Sequence, residues 1–373
     1  MNRIIRVAAL GGALALALAA CGSAPDNNSG SSSSPTSSAG AAMSDFKGCI
    51  VSDSGGFNDK SFNESGLNGL NQVKKDLGIQ TAQAESKTDD AYAPNIDNLL
   101  SQNCNMIVSV GFKLSTATAD AAKANTDVDF ALVDALPTDA AGKAVTLDNV
   151  KPLQFDTAQA AYLAGYLAAG MTKTGKVGTY GGLAIPTVTV FMDGFAEGIA
   201  KYNEVKGKSV QLLGWDEKAQ TGLFNPPDAP FAPGSGKANA DSLVAQGADI
   251  ILPVAGGAAL DALTTAKATP GTLVIWVDSD GALINPDSSS VILTSVMKLI
   301  GAAVDSAVTD AAKGNFDATP YVGTLENQGV GIAPYHDLES QVPADLKKEV
   351  DQLKADIISG KIKVESKSSP SSS

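Results

Sequence analysis

The chain has 373 residues, with 27 Lys and Arg against 40 Asp and Glu, a net charge of −13 and one histidine. Such an acid excess disfavours nucleic acid and anionic lipid surfaces as partners. With three cysteines, no C-x-x-C pair and only His336, a His/Cys zinc site is not expected, and neither metal nor cofactor is called for.

Arg3 and Arg6 precede an Ala/Leu-rich apolar run over residues 7–20, too short to span a bilayer comfortably. The run ends in Leu18-Ala19-Ala20-Cys21-Gly22. Small residues before a cysteine suit the narrow cleft of a lipoprotein signal peptidase, and the thiol then carries diacylglycerol. Residues 1–20 therefore read as a lipoprotein signal peptide and Cys21 as the lipidated N-terminus; the alternative is an ordinary leader with a chance cysteine. No later run is long enough to cross a membrane, so the chain is expected outside the cytoplasm, held to the cell membrane by its lipid alone. Without the leader, 25 basic residues face 40 acidic ones, a net charge of −15. Residues 21–44 continue as a Ser/Asn/Gly-rich linker with nothing to pack. The polar stretch 366–373 is expected to be disordered in the same way.

About 320 residues remain, enough for two domains. Apolar runs predict buried parallel strands at 49–52, 106–110, 128–133, 177–181, 209–214, 249–254 and 272–277. Ala/Leu-patterned helices fall between or beside them at 61–76, 90–102, 115–124, 157–172, 188–203, 238–246 and 257–267. This alternation implies an α/β protein with right-handed crossovers, divided into two sheets. The chain is expected to pass between lobes near 150–156 and to return near 278–282 and 314–320. One lobe then comprises 45–154 plus 278–318, the other 155–277 plus 319–365. Cys49 and Cys104 both sit by strand-like runs; they either pair in an oxidising compartment or stay as buried thiols.

Several strands end in a residue suited to ligands. Asp53, Asp134 and Asp278 follow three of them, Trp215-Asp216 another, and Ala255-Gly256-Gly257 another. In open parallel sheets ligands bind beyond the carboxyl ends of the strands, where glycine lets backbone approach and carboxylates accept from hydroxyls and amines. The competing role for each aspartate is to cap the next helix. The segment Asp53-Ser-Gly-Gly-Phe57-Asn58-Asp59-Lys60-Ser61-Phe62-Asn63-Glu64 carries Ser61-x-x-Glu64, a capping box that starts a helix with Phe62 at its mouth. An aromatic there offers a face to a planar ligand or plugs the loop.

That segment resembles the signature of the basic membrane protein family of bacterial lipoproteins, which includes purine nucleoside receptors of ABC transporters. The likeness continues in Phe155-Asp156-Thr157 through Ala161-Tyr162-Leu163-Ala164-Gly165-Tyr166, and in Gly181-Gly182-x-x-Ile185-Pro186-x-Val188 with Phe191-x-x-Gly194-Phe195. It returns in Gly247-Ala248-Asp249-Ile250-Ile251, Val254-Ala255-Gly256-Gly257, Val277-Asp278-Ser279-Asp280 and Thr294-Ser295-Val296-Met297-Lys298. The resemblance implies a type I periplasmic-binding-protein fold closing on a nucleoside, with a permease as protein partner and the binding protein itself a monomer. It matches Phe62 to the first of two stacking aromatics, with Phe224 as the second and Trp215 in reserve. Asp53, Asp134, Asp278 and Lys298 match its polar positions, Asn58 supports the same loop, and Gly256 and Gly257 match backbone that closes over the sugar. The chemistry agrees: a neutral nucleoside has a π-face, amide-like edges and vicinal hydroxyls that suit a carboxylate–lysine pair.

Enzyme motifs fail. Gly175-Lys-Val-Gly178-Thr-Tyr-Gly181 is not a dinucleotide fingerprint, Gly234-Ser-Gly236-Lys237-Ala238 lacks the first glycine and the Ser/Thr of a phosphate loop, and no G-x-S-x-G accompanies His336. Asp278-Ser-Asp280-Gly281 lacks the further ligands of a calcium loop. The chain is expected not to be an enzyme. The rival readings are the same fold holding another polar solute, and a surface adhesin or extracellular hydrolase. An amino-acid receptor needs a cationic clamp for the carboxylate, and no arginine follows Arg6.

Overall fold

The computed structural model describes residues 43–370. The signal peptide, Cys21 and most of the linker lie outside the described residues. In chain order the first half runs β1 (Lys47–Val51), α1 (Phe62–Leu77), β2 (Gln80–Ala84), α2 (Tyr92–Ser101), β3 (Met106–Val110), α3 (Ser115–Ala124), β4 (Asp129–Val133) and β5 (Val150–Phe155). It continues with α4 (Thr157–Met171), β6 (Lys176–Gly181), α5 (Pro186–Lys206), β7 (Gln211–Leu213), the two-residue β8 (Trp215–Asp216) and β9 (Thr221–Gly222), and α6 (Lys237–Ala245). The remainder is β10 (Ile250–Val254), α7 (Leu260–Ala268), β11 (Leu273–Asp278), α8 (Gly281–Ile284), β12 (Ile292–Lys298), α9 (Ile300–Ala312), β13 (Tyr321–Gly323), β14 (Val330–Ile332) and α10 (Ala344–Ile358).

Two six-stranded sheets result, in the orders β13-β5-β4-β3-β1-β2 and β14-β12-β11-β10-β6-β7. All pairings in the first are parallel, and in the second only β14 runs antiparallel, against β12. The central strands are apolar throughout: every residue of β3 and β10 is buried, as strands covered on both faces require. Several strands gave no apolar run. β2 is the polar edge sequence Gln-Thr-Ala-Gln-Ala, and β5 carries Lys151, Pro152 and Gln154.

The first crossing falls at Phe155–Asp156. The others differ from expectation. The stretch 278–318 was assigned to the first lobe, but β12 pairs with β11 and so belongs to the second sheet. The chain crosses back only at Leu299, after which α9 packs on α1. The third crossing lies between β13, at the edge of the first sheet, and β14, at the edge of the second. A strand's apolar pattern states that it is buried and not which sheet accepts it, so these crossings could not be read from sequence.

Helix α4 is almost wholly buried and packs along α5. The approach is close enough that a methyl at Gly165 would lie 2.2 Å from the Phe195 carbonyl oxygen, and one at Gly198 2.0 Å from that of Tyr162. Glycine at these positions lets the two backbones touch. Cys49 and Cys104 form a disulfide with Cα atoms 6.0 Å apart. It closes a separation of 55 residues, worth about 4 kcal/mol if the whole effect is lost loop entropy. Ser366–Ser369, expected to be disordered, is hydrogen-bonded to α5 and to Asp156.

Candidate functional site

The carboxyl ends of the two sheets border one cleft. Its first-sheet wall has Asp53 after β1, Phe62 and Asn63 on α1, Gly111 and Phe112 after β3, and Asp134 after β4. Facing them are Val188 and Phe191 on α5, Phe231, Gly256 and Gly257 after β10, Asp278 at the end of β11 and Lys298 at the end of β12. A cleft that is mainly apolar with a few converging polar groups is the general form of a small-molecule site.

Lys298 is the electrostatic centre. It is 3% exposed, and its Nζ donates to Asp134 Oδ2 at 2.5 Å and lies 3.6 Å from Asp278 Oδ1. Burial works against the ammonium, but Asp134 and Asp278 outweigh it and hold the lysine pKa above its ordinary value. The same Nζ stands 5.1 Å from the Phe62 ring centre and 5.2 Å from that of Phe191, within cation–π range. The two carboxylates come from equivalent strand ends on different sheets, and both residues adopt left-handed backbone, with φ 64° at Asp134 and 66° at Asp278. Such a conformation costs about 1 kcal/mol or more outside glycine, and aspartate is among the residues that tolerate it. Asp278 Oδ1 is buried without a hydrogen-bond donor, so an acceptor remains free beside the cation.

The loop after β1 is built differently from the expected capping box. Helix α1 does begin at Phe62, but Ser61 makes no side-chain cap. Asp59 caps instead, accepting from the backbone N–H groups of Ser61, Asn63 and Glu64 at 2.8–3.1 Å. Its burial raises its pKa to about 6. The Ser61 hydroxyl, released from capping, reaches across the cleft to Asp278 Oδ2 at 2.6 Å. Asp53 accepts from Gly55 N and Asn63 Nδ2, both at 2.8 Å, and burial raises its pKa too. Of the three strand-end aspartates, none caps the helix that follows it: α1 uses Asp59, and α8 uses Asp280.

Phe62, Asp53, Asp134, Gly256, Gly257, Asp278 and Lys298 therefore come together, while three expected residues do not line the cleft. Asn58 is exposed on the outer side of its loop. Trp215 is buried, its Nε1 donating to Asp193 at 3.0 Å, and Phe224 packs edge-on against it at 6.0 Å. Both are committed to the packing between α5 and the β8–β9 hairpin. The aromatic that does enter from that side is Phe231, inside the proline-rich stretch 226–236. A methyl at Gly182 would lie 2.3 Å from its ring, so that glycine makes room for it. The loop is tied down by Asn225 Nδ2 to Pro230 O at 2.8 Å and by Ala258 N to Phe231 O at 3.0 Å. A lone phenylalanine among Pro226, Pro227, Pro230 and Pro233 was the available signal, since such a stretch has no other ring to bury. Phe191 and Asn63 also entered the site from motifs quoted only for their likeness.

The chain is similar to known substrate-binding proteins. Residues 46–222 and 229–368 match the family model Bmp, described as ABC transporter substrate-binding protein PnrA-like. The break at 223–228 falls at the start of the loop that carries Phe231. The chain is 30% identical over 311 residues to basic membrane protein A1 of Borrelia garinii subsp. bavariensis, covering 83% of this chain and 85% of the relative. It is 30% identical over 386 residues to the ABC transporter nucleoside-binding protein BmpA of Lactococcus lactis subsp. cremoris, covering 98% and 99%. Among solved structures, an ABC transporter solute-binding protein from Aeropyrum pernix K1 superposes with a TM-score of 0.74 at 24% identity, over 85% of this chain and 92% of that one. Two α/β lobes around a cleft, with such neighbours, are the type I periplasmic-binding-protein fold.

Proposed function

This chain belongs to the Bmp family of PnrA-like ABC transporter substrate-binding proteins, and we propose that its solute is a nucleoside of the purine class. The base stacks between Phe62 and Phe231, and the ribose lies on the Asp134–Lys298–Asp278 cluster. The observation that carries the reading is Lys298, buried between two carboxylates and faced by aromatic rings. Vicinal hydroxyls fit such a cluster because they donate to the free Asp278 oxygen and accept from the ammonium without adding charge. Asp53 offers its remaining carboxylate oxygen to the polar edge of a base, and the Asn63 amide, donating to Asp53 and Asp59, holds that carboxylate in place. The Lactococcus relative is named for nucleoside binding, which supports the assignment.

Other solutes fit less well. An amino acid brings a carboxylate that needs a free cation, and the cation lining this cleft is already bracketed by Asp134 and Asp278. A simple sugar leaves Phe191, Phe231 and Val188 without an apolar partner.

The lobes turn about the three crossings, and the Ser61–Asp278 hydrogen bond belongs to the closed state. Capture takes place outside the cytoplasm, with lipidated Cys21 holding the protein near an ABC permease; among the described residues no helix is long and apolar enough to cross a membrane. The solute is passed on unaltered. Calorimetry with adenosine, guanosine, inosine, their free bases, ribose and amino acids tests the reading, with chromatography of the recovered ligand. Saturable binding of ribosides, returned unchanged, is expected. Binding of ribose or amino acids in preference to every nucleoside refutes it.

A further inference from the structure

We infer that Ser366–Ser369 is a strap belonging to the binding machinery, which walls a second cavity beside the β5–α4 crossing and limits access to the Asp134–Lys298 pair from that side. The sequence here is Ser-Lys-Ser-Ser, with no apolar group to bury and a real entropic cost of ordering. What holds it is a set of carboxylates already fixed in the fold. Asp193 on α5 is fully buried; one oxygen accepts from Trp215 Nε1 and from Gln220 Nε2 at 2.9 Å, and the other accepts from the Ser366 hydroxyl at 2.6 Å. Asp156, at the crossing itself, divides its oxygens in the same way, between Gln159 Nε2 at 2.8 Å and the Ser369 hydroxyl at 2.7 Å. Between them the Ser368 hydroxyl pairs with Thr189 at 2.7 Å. Hydrogen bonds to charged acceptors are the strong kind, and removing the hydroxyls leaves two carboxylate oxygens without these donors.

The strap's position gives it a role. Lys367, Ser368, Ser369 and Pro370 line a second cavity, whose other walls include Asp134 and Lys298. Those two residues also line the ligand cleft, so the ion pair is the partition between the two spaces. With the strap in place that side of the pair faces this walled cavity. With the strap gone it opens to bulk water, which screens the pair.

The test needs two variants: a chain ended after Glu365, and the double substitution Ser366→Ala with Ser369→Ala. Acetylation by an amine-reactive ester, read residue by residue by mass spectrometry without ligand, reports access to Lys298, with exposed Lys173 as the reference. Acetylation of Lys298 is expected to rise about tenfold in the ended chain, and the dissociation constant for purine nucleosides to rise about tenfold, the size of one charge-assisted hydrogen bond. If ending the chain prevents folding, the serine variant decides by the same two readouts. Lys298 as protected as in the intact chain, in a folded variant, overturns the inference. So does faster labelling with unchanged affinity. The affinity arm rests on the nucleoside reading above and the labelling arm does not: faster labelling, with an intact chain that binds no nucleoside, keeps the wall and discards the nucleoside.

Discussion

Replacing Lys298 by Met keeps the volume of the side chain and removes its charge. The ammonium lies 2.5 Å from one carboxylate and 3.6 Å from the other. At an effective dielectric near 20, these contacts amount to roughly 7 and 5 kcal/mol of gross attraction, most of it offset by the cost of taking three charges out of water. The net loss is set by what remains, two buried carboxylates without a cation, and stranding a buried charge costs about 3–5 kcal/mol. The pH dependence follows from the direction of the lysine shift. With its folded pKa held above the ordinary value, Lys298 contributes stability that is fully present below about pH 10 and is lost only as pH rises through the folded pKa. The intact protein therefore keeps this contribution unchanged between about pH 5 and 7.5. In the variant a stranded carboxyl binds a proton more tightly folded than unfolded, so stability recovers as pH falls. Urea denaturation should show the variant less stable by about 3–5 kcal/mol at pH 7.5 and by clearly less near pH 5. A loss below about 1 kcal/mol, or an equal loss at both pH values, refutes the claim that the cation offsets two buried carboxylates.

Phe62→Ala and Phe231→Ala should each weaken purine nucleoside binding by about ten- to a hundredfold, taking base stacking on aromatic side chains as the guide, with little change in melting temperature. Phe224→Leu should leave affinity within about threefold in the same calorimetric series, because its ring lies behind the site against Trp215. Burial pushes Glu197 up to about 7, with Glu365 N donating to it and Glu217, Glu365 and Asp193 adding negative charge nearby. Its contribution to stability is thus full below about pH 4, the unfolded range, and lost as pH rises through the folded value, so Glu197→Gln should flatten the fall in stability between about pH 5 and 8 in melts across that range. Cys21→Ser should release the protein from membranes into the soluble fraction of fractionated cells; retention of the variant would remove the lipid anchor.

The α/β class, seven of the fourteen strands, seven of the ten helices, and the candidates Asp53, Phe62, Asp134, Asp278 and Lys298 were legible in the sequence, because apolar runs mark buried strands and polar residues at their ends mark where a cleft can form. Seven strands escaped: β2 is polar because it is an edge, β5 is interrupted by Lys151, Pro152 and Gln154, β8, β9, β13 and β14 are only two or three residues long, and β12 carries Thr294 and Ser295 inside its buried run. Sequence also placed a serine, an aspartate and a phenylalanine at the mouth of α1, but only the fold decided that Asp59 would cap it and leave Ser61 free to reach Asp278 on the other sheet. The second aromatic was undecidable for the same reason. Trp215, Phe224 and Phe231 lie within 17 positions of one another, and which ring faces the cleft depends on Asp193 claiming the indole and Gly182 making room for Phe231. The serines at 366–369 read as a solvated tail because local composition reports only what a segment can bury. The carboxylates that order it, Asp156 and Asp193, lie more than 170 residues away in the chain and meet it only through the tertiary fold.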